Sequence, residues 1–111
     1  MLKIDINTHD LNTVLEILDA HAPGYEVWVF GSRAAGRAKE FSDLDLAIIG
    51  EAPLSATTLA DLKDSFTESG LPFKVDVVDW AGTSQSFRKI IKGQHVVLKK
   101  PVSIEISAKE K

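Results

Sequence analysis

The sequence predicts an α/β fold in which helices pack on a single small sheet. Apolar residues recur at helical spacing in three segments, and these segments alternate with short runs rich in β-branched and aromatic residues. Helices that alternate with strands bury their apolar faces most simply on one shared sheet. With 111 residues, the chain is expected to form one domain.

The first half of the chain contains a helix, a strand, a loop and a second strand. Apolar residues at helical spacing predict a helix over about residues 8–21. The run of β-branched and aromatic residues at 25–30 predicts a strand. Residues 31–42 are polar and include two glycines, so they form a loop with room for a short helical turn. The apolar run at 44–49 predicts the second strand.

The second half repeats this alternation. A helix is predicted over about residues 55–69, a third strand over 73–80 and a helix from Thr83 or Ser84 onward, with a possible short strand at 95–98. The last of these helices is expected to bury one apolar face, formed by Phe87, Ile90 and Ile91. Both tryptophans flank predicted strands and are expected in the core: Trp28 and Trp80.

Composition narrows the classes of function. The net charge is −3, and no basic face is evident that could bind the phosphates of a nucleic acid. A polymer substrate is therefore not expected. The absence of cysteine excludes disulfides, thiolate metal sites and thiol nucleophiles, and fits the cytoplasm. No apolar run approaches the ~20 residues of a membrane span. The first five residues also lack the pattern of a secretion signal.

Two carboxylates stand close together at the start of the second predicted strand. Asp43 and Asp45 are two residues apart, so their side chains point to the same face, with α-carbons roughly 7 Å apart. Neighbouring anions are favourable where cations compensate their repulsion, and Mg²⁺ prefers carboxylate and phosphate oxygens. On its own, an Asp-x-Asp pattern is more often just two exposed aspartates at a strand entry. The opposite face is apolar and belongs to the core: Leu44, Leu46 and Ile48.

A third aspartate favours the metal site over that alternative. Asp76 lies in the segment KVDVVD, on the opposite face from the first two valines. It can join Asp43 and Asp45 as a ligand if the two strands are neighbours. Asp79 has the opposite parity, so it is expected to end the strand or to cap the next turn.

The loop after the first strand contains groups suited to phosphate. Gly31 permits a tight turn and a close approach of the backbone to a phosphate group. Ser32 offers a hydroxyl and an N–H group where a helical turn can begin. Arg33, Arg37 and Lys39 are possible partners of a triphosphate, although a solvated basic loop would have the same composition.

A P-loop NTPase is a weaker interpretation of this loop. Gly31 and Gly36 have the spacing of a phosphate loop, but the next residue is Arg37 where lysine is required. Ala38 then stands where the magnesium-binding hydroxyl belongs. The loop therefore lacks the two side chains that the P-loop mechanism uses.

The motif as a whole resembles a known family. Gly31-Ser32, ten intervening residues and then Asp43-Leu44-Asp45 form the GS-x10-D-x-D pattern of the polymerase-β-like nucleotidyltransferases. The string GSRAAGRAKEFSDLDLAI is similar to their minimal nucleotidyltransferase branch, which consists of small stand-alone proteins. The resemblance runs through FKVDVVDW and covers most of the chain. It departs from the family at RAAG, where a second arginine is frequent.

The weak apolar alternation after Pro101 predicts an edge strand, a tail or a segment that orders on a partner at 101–111. The resemblance implies a nucleotidyltransferase fold with a small mixed sheet, formed by residues 1–100. It implies that Asp43, Asp45 and Asp76 are catalytic and hold Mg²⁺, with two ions expected. ATP would be the substrate, with its triphosphate held by Gly31 and Ser32, and the basic loop adds Arg33 and Arg37 as candidate ligands of the nucleotide.

The resemblance also implies a partner. Minimal nucleotidyltransferases pair with helical proteins of the HEPN class, many of them toxins. The expected reaction is transfer of AMP from ATP to a hydroxyl, a tyrosine of such a toxin, so that this chain acts as the antitoxin. The alternative is a non-catalytic nucleotide-binding module that neutralises a helical partner by occlusion.

Overall fold

A computed structural model describes residues 4–39 and 41–101 of the chain. In chain order its elements are α1 (Thr8–His21), β1 (Glu26–Phe30), α2 (Ser32–Ala35), β2 (Leu44–Ile49), α3 (Ala56–Thr67), β3 (Val75–Asp79), α4 (Gln85–Gly93) and β4 (His95–Lys99). This is the predicted alternation, including the short helix in the glycine loop and the final strand. The predicted edge strand or tail at 101–111 lies outside the described residues, apart from Pro101.

The four strands form one mixed sheet in the order β3-β2-β1-β4. Strand β1 is antiparallel to both β2 and β4, whereas β2 and β3 are parallel. A parallel pair needs a long crossover connection, and α3 provides it between these two strands. The mixed sheet with helices packed on it confirms the predicted fold class.

One face of the sheet, here called the back face, carries Leu44, Leu46 and Ile48 of β2, all of them almost completely buried. Helices α1 and α3 cover it. Their apolar residues at helical spacing, such as Leu18 and Leu62, are fully buried in the same core. Because each of these side chains loses nearly all contact with water, the back face supplies most of the hydrophobic stabilisation.

The opposite face, here called the front face, carries Asp45, Ala47 and Ile49 of β2. Helix α4 covers part of it, and a smaller buried cluster forms there from Phe30, Ala47 and Ile91. The two tryptophans pack against that cluster and meet edge to face, with ring centroids 5.2 Å apart. Both are only partly buried, so the expectation of core tryptophans is met only in part.

Two predictions need correction. Ile90 was expected on the buried face of α4, but it is 67% exposed. Phe87 and Ile91, four residues apart, turn the same side of the helix to the sheet, and that leaves Ile90 at the margin. The third strand was predicted over 73–80, but Phe73 precedes β3 within the back-face core, and Trp80 begins a 3₁₀ turn.

Serine and asparagine side chains define where the longer helices begin. Asn7, Ser55 and Ser84 each accept a hydrogen bond from a backbone N–H of the first turn of α1, α3 and α4, respectively. Each cap satisfies one of the N–H groups that a helix start leaves unpaired. No helix within residues 4–39 and 41–101 has the length and apolarity needed to cross a membrane.

Candidate active site

Asp45 and Asp76 lie side by side on the front face. They are the second residues of β2 and β3, and the register of the parallel pair makes them direct partners. Partner residues on neighbouring strands are about 4.8 Å apart and point to the same face. The structure therefore brings together the two aspartates that sequence parity alone could only place on equivalent faces.

Asp43 lies just before β2, and its side chain is exposed. It is close enough to act electrostatically on Asp45. The pKa of Asp45 is raised from 3.8 to about 6, chiefly because its carboxyl group is partly buried, and further because Asp76 and Asp43 are negatively charged. Lys74 opposes the rise. The three aspartates thus form one group of interacting negative charges at the end of the sheet where β2 and β3 begin.

Gly31 brings the backbone against this group. It follows Phe30, which pairs with Asp45 across β1 and β2. Its φ of 75° and ψ of −155° belong to a region that only glycine adopts readily. A Cβ atom at this position would lie 2.3 Å from the Oδ2 atom of Asp45. Glycine is therefore required here for two reasons: the backbone conformation and the close contact with the Asp45 carboxylate.

Ser32 and Arg37 lie on the same side of the group as Gly31. Ser32 is partly buried and is the first residue of α2. Arg37 is exposed and lines, together with Gly31, a cleft of about 310 Å³. The rest of this cleft comes from β1 and from α4 and its end: Phe30, Phe87, Ile90 and Gln94. Arg37 is thus free of the core and close to the glycine turn.

Arg33 is placed differently from Arg37. It is only 5% exposed, and its guanidinium donates to the backbone carbonyl of Ser42 through Nε at 3.0 Å and Nη2 at 2.8 Å. Nη1 donates to the carbonyl of Asp5, and the guanidinium stacks over the Phe73 ring at 4.3 Å. The Arg33 side chain was expected to contact the nucleotide, and this expectation needs correction. The side chain instead links the loop before β2 to the N-terminal segment.

Asp79 closes β3 without joining the other aspartates. Its Oδ2 atom accepts a hydrogen bond of 2.9 Å from the N–H of Leu54, in the connection between β2 and α3. Its backbone carbonyl accepts one of 2.8 Å from the Thr83 hydroxyl. Asp79 therefore ends the strand as expected, but its carboxylate anchors a distant loop instead of capping the next turn.

A complete metal site is not preformed by protein groups alone. Within residues 4–39 and 41–101, no three His, Cys, Asp or Glu side chains form a group that could hold a metal ion. The donor set still fits Mg²⁺, which proteins usually bind through one or two carboxylates and which substrate phosphate oxygens help to coordinate. The mutual repulsion of the negative charges around Asp45, which Lys74 offsets only in part, favours a cation there. The three-aspartate metal site remains a prediction.

Sequence reasoning missed two features of the site. The Nζ atom of Lys74 lies 3.3 Å from Oδ1 of Asp76, so an ion pair holds the third carboxylate. The spacing Lys74-x-Asp76 within a strand, which places both side chains on one face, is the signal that would have found it. The cleft wall from α4 gave no comparable signal, because Phe87 and Gln94 meet Gly31 only in the folded chain.

Solved structures share this fold. A toxin–antitoxin structure with AMP-PNP superimposes with a TM-score of 0.69 at 22% identity, covering 91% of this chain and 87% of that chain. A structure of a tri-AMPylated HEPN toxin from Shewanella oneidensis in complex with an MNT antitoxin gives a TM-score of 0.65 at 19% identity, over 95% and 87% of the two chains. At these identities the likeness shows the fold.

Sequence similarity identifies the family. Residues 12–101 match the family described as polymerase beta, nucleotidyltransferase. The probable protein adenylyltransferase MntA of Haemophilus influenzae is 50% identical over 96 residues, which are 86% of this chain and 84% of that protein. The resemblance first noted in the glycine–serine and Asp-x-Asp motifs is thereby confirmed over most of the length. The chain belongs to the polymerase beta nucleotidyltransferase family.

Proposed function

We propose that this protein transfers AMP from ATP to a hydroxyl group, a tyrosine hydroxyl of a HEPN-type toxin, and that it acts as an antitoxin by this modification. The observation that carries the proposal is the arrangement around Asp45. Asp76 is its register partner on one side, and the Gly31 backbone touches it on the other. Acidic groups and a close-approach glycine turn are what a nucleoside triphosphate and its cations require.

The residues of the site divide into two tasks. The Gly31 turn, Ser32 and the exposed Arg37 would hold the triphosphate, since they combine backbone access with one free cationic side chain. Asp43, Asp45 and Asp76 would hold Mg²⁺, and bound Mg²⁺ would neutralise the charge of the reacting phosphates. Asp76 would also orient the incoming hydroxyl and accept its proton.

In the reaction, the hydroxyl oxygen bonds to the α-phosphorus as the bond from that phosphorus to pyrophosphate breaks. The protein's contribution to such phosphoryl chemistry is mainly positioning and electrostatic stabilisation. Two anchors give this site its rigidity: the hydrogen bonds between β2 and β3, and the buried Arg33 that fixes the loop before β2.

The relatives support the choice of nucleotide and partner. The Haemophilus protein is described as a probable protein adenylyltransferase, and one solved structure is of a toxin–antitoxin with AMP-PNP. In the Shewanella structure, the HEPN toxin bound to the MNT antitoxin is tri-AMPylated. We therefore extend the proposal to more than one AMP on each acceptor. We place the reaction in the cytoplasm, on the basis of the cysteine-free composition.

The test is transfer of label from α-labelled ATP to a co-expressed HEPN-type partner in the presence of Mg²⁺. Wild-type protein is expected to label a tyrosine of the partner, located by mass spectrometry of its peptides. Asp76→Asn is expected to reduce the labelling rate by at least about a hundredfold, since misplacing the reacting groups has effects of that order. Complete absence of label with wild-type protein would favour occlusion without catalysis.

Asp79→Asn is the matched control for Asp76→Asn. It makes the same chemical change three residues further along the chain, and its amide oxygen can still accept the hydrogen bond from Leu54. Its labelling rate should stay within a few-fold of wild type. If both variants lose activity equally, loss of charge at this edge of the sheet would explain the result better than a catalytic role for Asp76.

A further inference from the structure

A second cleft opens on the other side of Asp76. It lies between α3 and β3 and has a volume of about 390 Å³, within the usual range of roughly 300–1,000 Å³ for small-molecule sites. Phe66 and Leu71 contribute apolar surface, while Lys63 and Lys74 contribute two cationic side chains. Asp76 of β3 is also among the residues that line it, so the cleft reaches the edge strand that carries this carboxylate.

The order of the strands places this cleft opposite the glycine turn. Gly31 follows β1 and Asp76 belongs to β3, with Asp45 on β2 between them. In phosphoryl transfer, the attacking and leaving oxygens are roughly in line on opposite sides of the phosphorus. If the triphosphate lies against the Gly31 turn, the incoming hydroxyl approaches from the side of Asp76, where the second cleft opens.

The charges of the cleft indicate what the acceptor carries. Lys63 is exposed, and the Lys74 side chain is 72% exposed, with its Nζ atom 3.3 Å from Oδ1 of Asp76. Two lysines beside an acidic site, in a chain of net charge −3, suit an anionic group better than a neutral side chain. The apolar wall suits a base or a sugar face. A nucleotide combines both properties.

We propose that the cleft between α3 and β3 holds a nucleotide already joined to the acceptor, so that a further nucleotide can be added to it. This inference rests on the proposed function. Lys63 and Lys74 bind the phosphodiester of the attached nucleotide, and Phe66 and Leu71 contact its nucleoside. The cleft thereby places a ribose hydroxyl of that nucleotide near Asp76.

The second addition forms and breaks the same kinds of bond as the first. The ribose oxygen forms a bond to the α-phosphorus of a new ATP, and the bond from that phosphorus to the β-phosphate oxygen breaks. The hydroxyl proton passes to the Asp76 carboxylate, and pyrophosphate leaves. The first acceptor, a tyrosine hydroxyl, brings no phosphodiester, so it gains nothing from Lys63.

The test compares first and later additions in a single time course. Intact-mass spectrometry of the partner, incubated with ATP, Mg²⁺ and each variant, gives the rate constants for adding one and two nucleotides. Lys63→Gln is expected to lower the second rate constant about tenfold, the effect of one charge-assisted hydrogen bond, and to leave the first unchanged. Lys63→Arg keeps the cation and should restore the wild-type ratio.

Lys89→Gln is the control, because Lys89 is an exposed lysine of α4 and does not line this cleft. An unchanged ratio in Lys63→Gln would overturn the inference. An equal loss in both additions would also overturn it, because the lysine would then serve the peptide or the ATP. A wild-type enzyme that stops after one nucleotide overturns it as well. A wild-type enzyme that adds none at all contradicts the proposed function itself.

Discussion

Asp45 and Asp76 are register partners in the parallel pairing of β2 with β3. This direct pairing matters because side chains alternate between the two faces of a sheet, so the register decides which face each side chain occupies. A slip of one residue would bring Val75 or Val77 opposite Asp45 and would turn Asp76 to the back face. The hydrophobic back face opposes such a slip, since Val77 is buried there with Leu46 as its partner. The packing of the core thus fixes the geometry of the acidic group.

The contact between Gly31 and Asp45 gives the first prediction. In Gly31→Ala, the new Cβ would lie 2.3 Å from Oδ2 of Asp45, and φ would remain near 75°. The carboxylate or the turn must move, so nucleotidyl transfer should fall by about a hundredfold or more. The backbone strain should also lower the free energy of unfolding by about 1–3 kcal/mol. Label transfer and urea unfolding measure the two effects separately.

Gly36→Ala is a control for the strain. Gly36 has an almost identical φ of 74°, but a Cβ there meets no described atom within 4 Å. This variant should lose about 1–2 kcal/mol of stability and keep most of its activity. Equal activity in the two variants would mean that the close approach to Asp45 has no part in the chemistry.

Alternation and spacing were enough to predict the front-face aspartates, because parity within a strand is a local property. The register of β2 with β3 was not predictable, since it depends on which strands become neighbours and in which direction. Arg33 illustrates the same limit. Its carbonyl partner at Asp5 is 28 residues away, and nothing in the loop sequence distinguishes a buried arginine from an exposed one. Only the folded structure shows that Arg33 is buried and that Arg37 is exposed.

The raised pKa of Asp45 predicts the pH dependence of cation binding. Burial and the charges of Asp76 and Asp43 raise this pKa to about 6. A cation binds the ionised carboxylate, so protonation competes with it. The apparent affinity for Mg²⁺ and ATP should therefore fall as the pH drops below about 6, well above the range of an ordinary aspartate. Calorimetric titration between about pH 5 and pH 8 would measure the change. An affinity that stays the same over this range would contradict the prediction.

The same shift predicts how metal-free protein responds to pH. A carboxyl group with a raised pKa binds its proton more tightly in the folded state, so its contribution to stability is present below about pH 4 and is lost as the pH rises through about 6. Asp45→Asn removes the ionisation. It should stabilise the metal-free protein at pH 7.5 by on the order of 1 kcal/mol, after allowance for solvent screening, and by less at pH 5. A difference independent of pH would refute this assignment.

The two arginines of the glycine loop should separate stability from substrate binding. Arg33→Lys keeps the charge but loses the planar fork that donates twice to Ser42 and once to Asp5. We expect the free energy of unfolding to fall by roughly 2–4 kcal/mol, because hydrogen bonds from a buried charged group are each worth about 1.5–3 kcal/mol and lysine recovers some of them. Urea unfolding measures this loss.

Arg37→Lys is the paired variant, and Arg37→Gln removes the charge. Because Arg37 is exposed, both changes should alter stability by no more than about 0.5 kcal/mol. Arg37→Gln should raise KM for ATP about tenfold, the effect of one lost charge-assisted contact with phosphate, and Arg37→Lys should raise it less. If instead Arg33→Lys raised KM at unchanged stability while Arg37→Gln destabilised the fold, the tasks given to the two side chains would have to be exchanged.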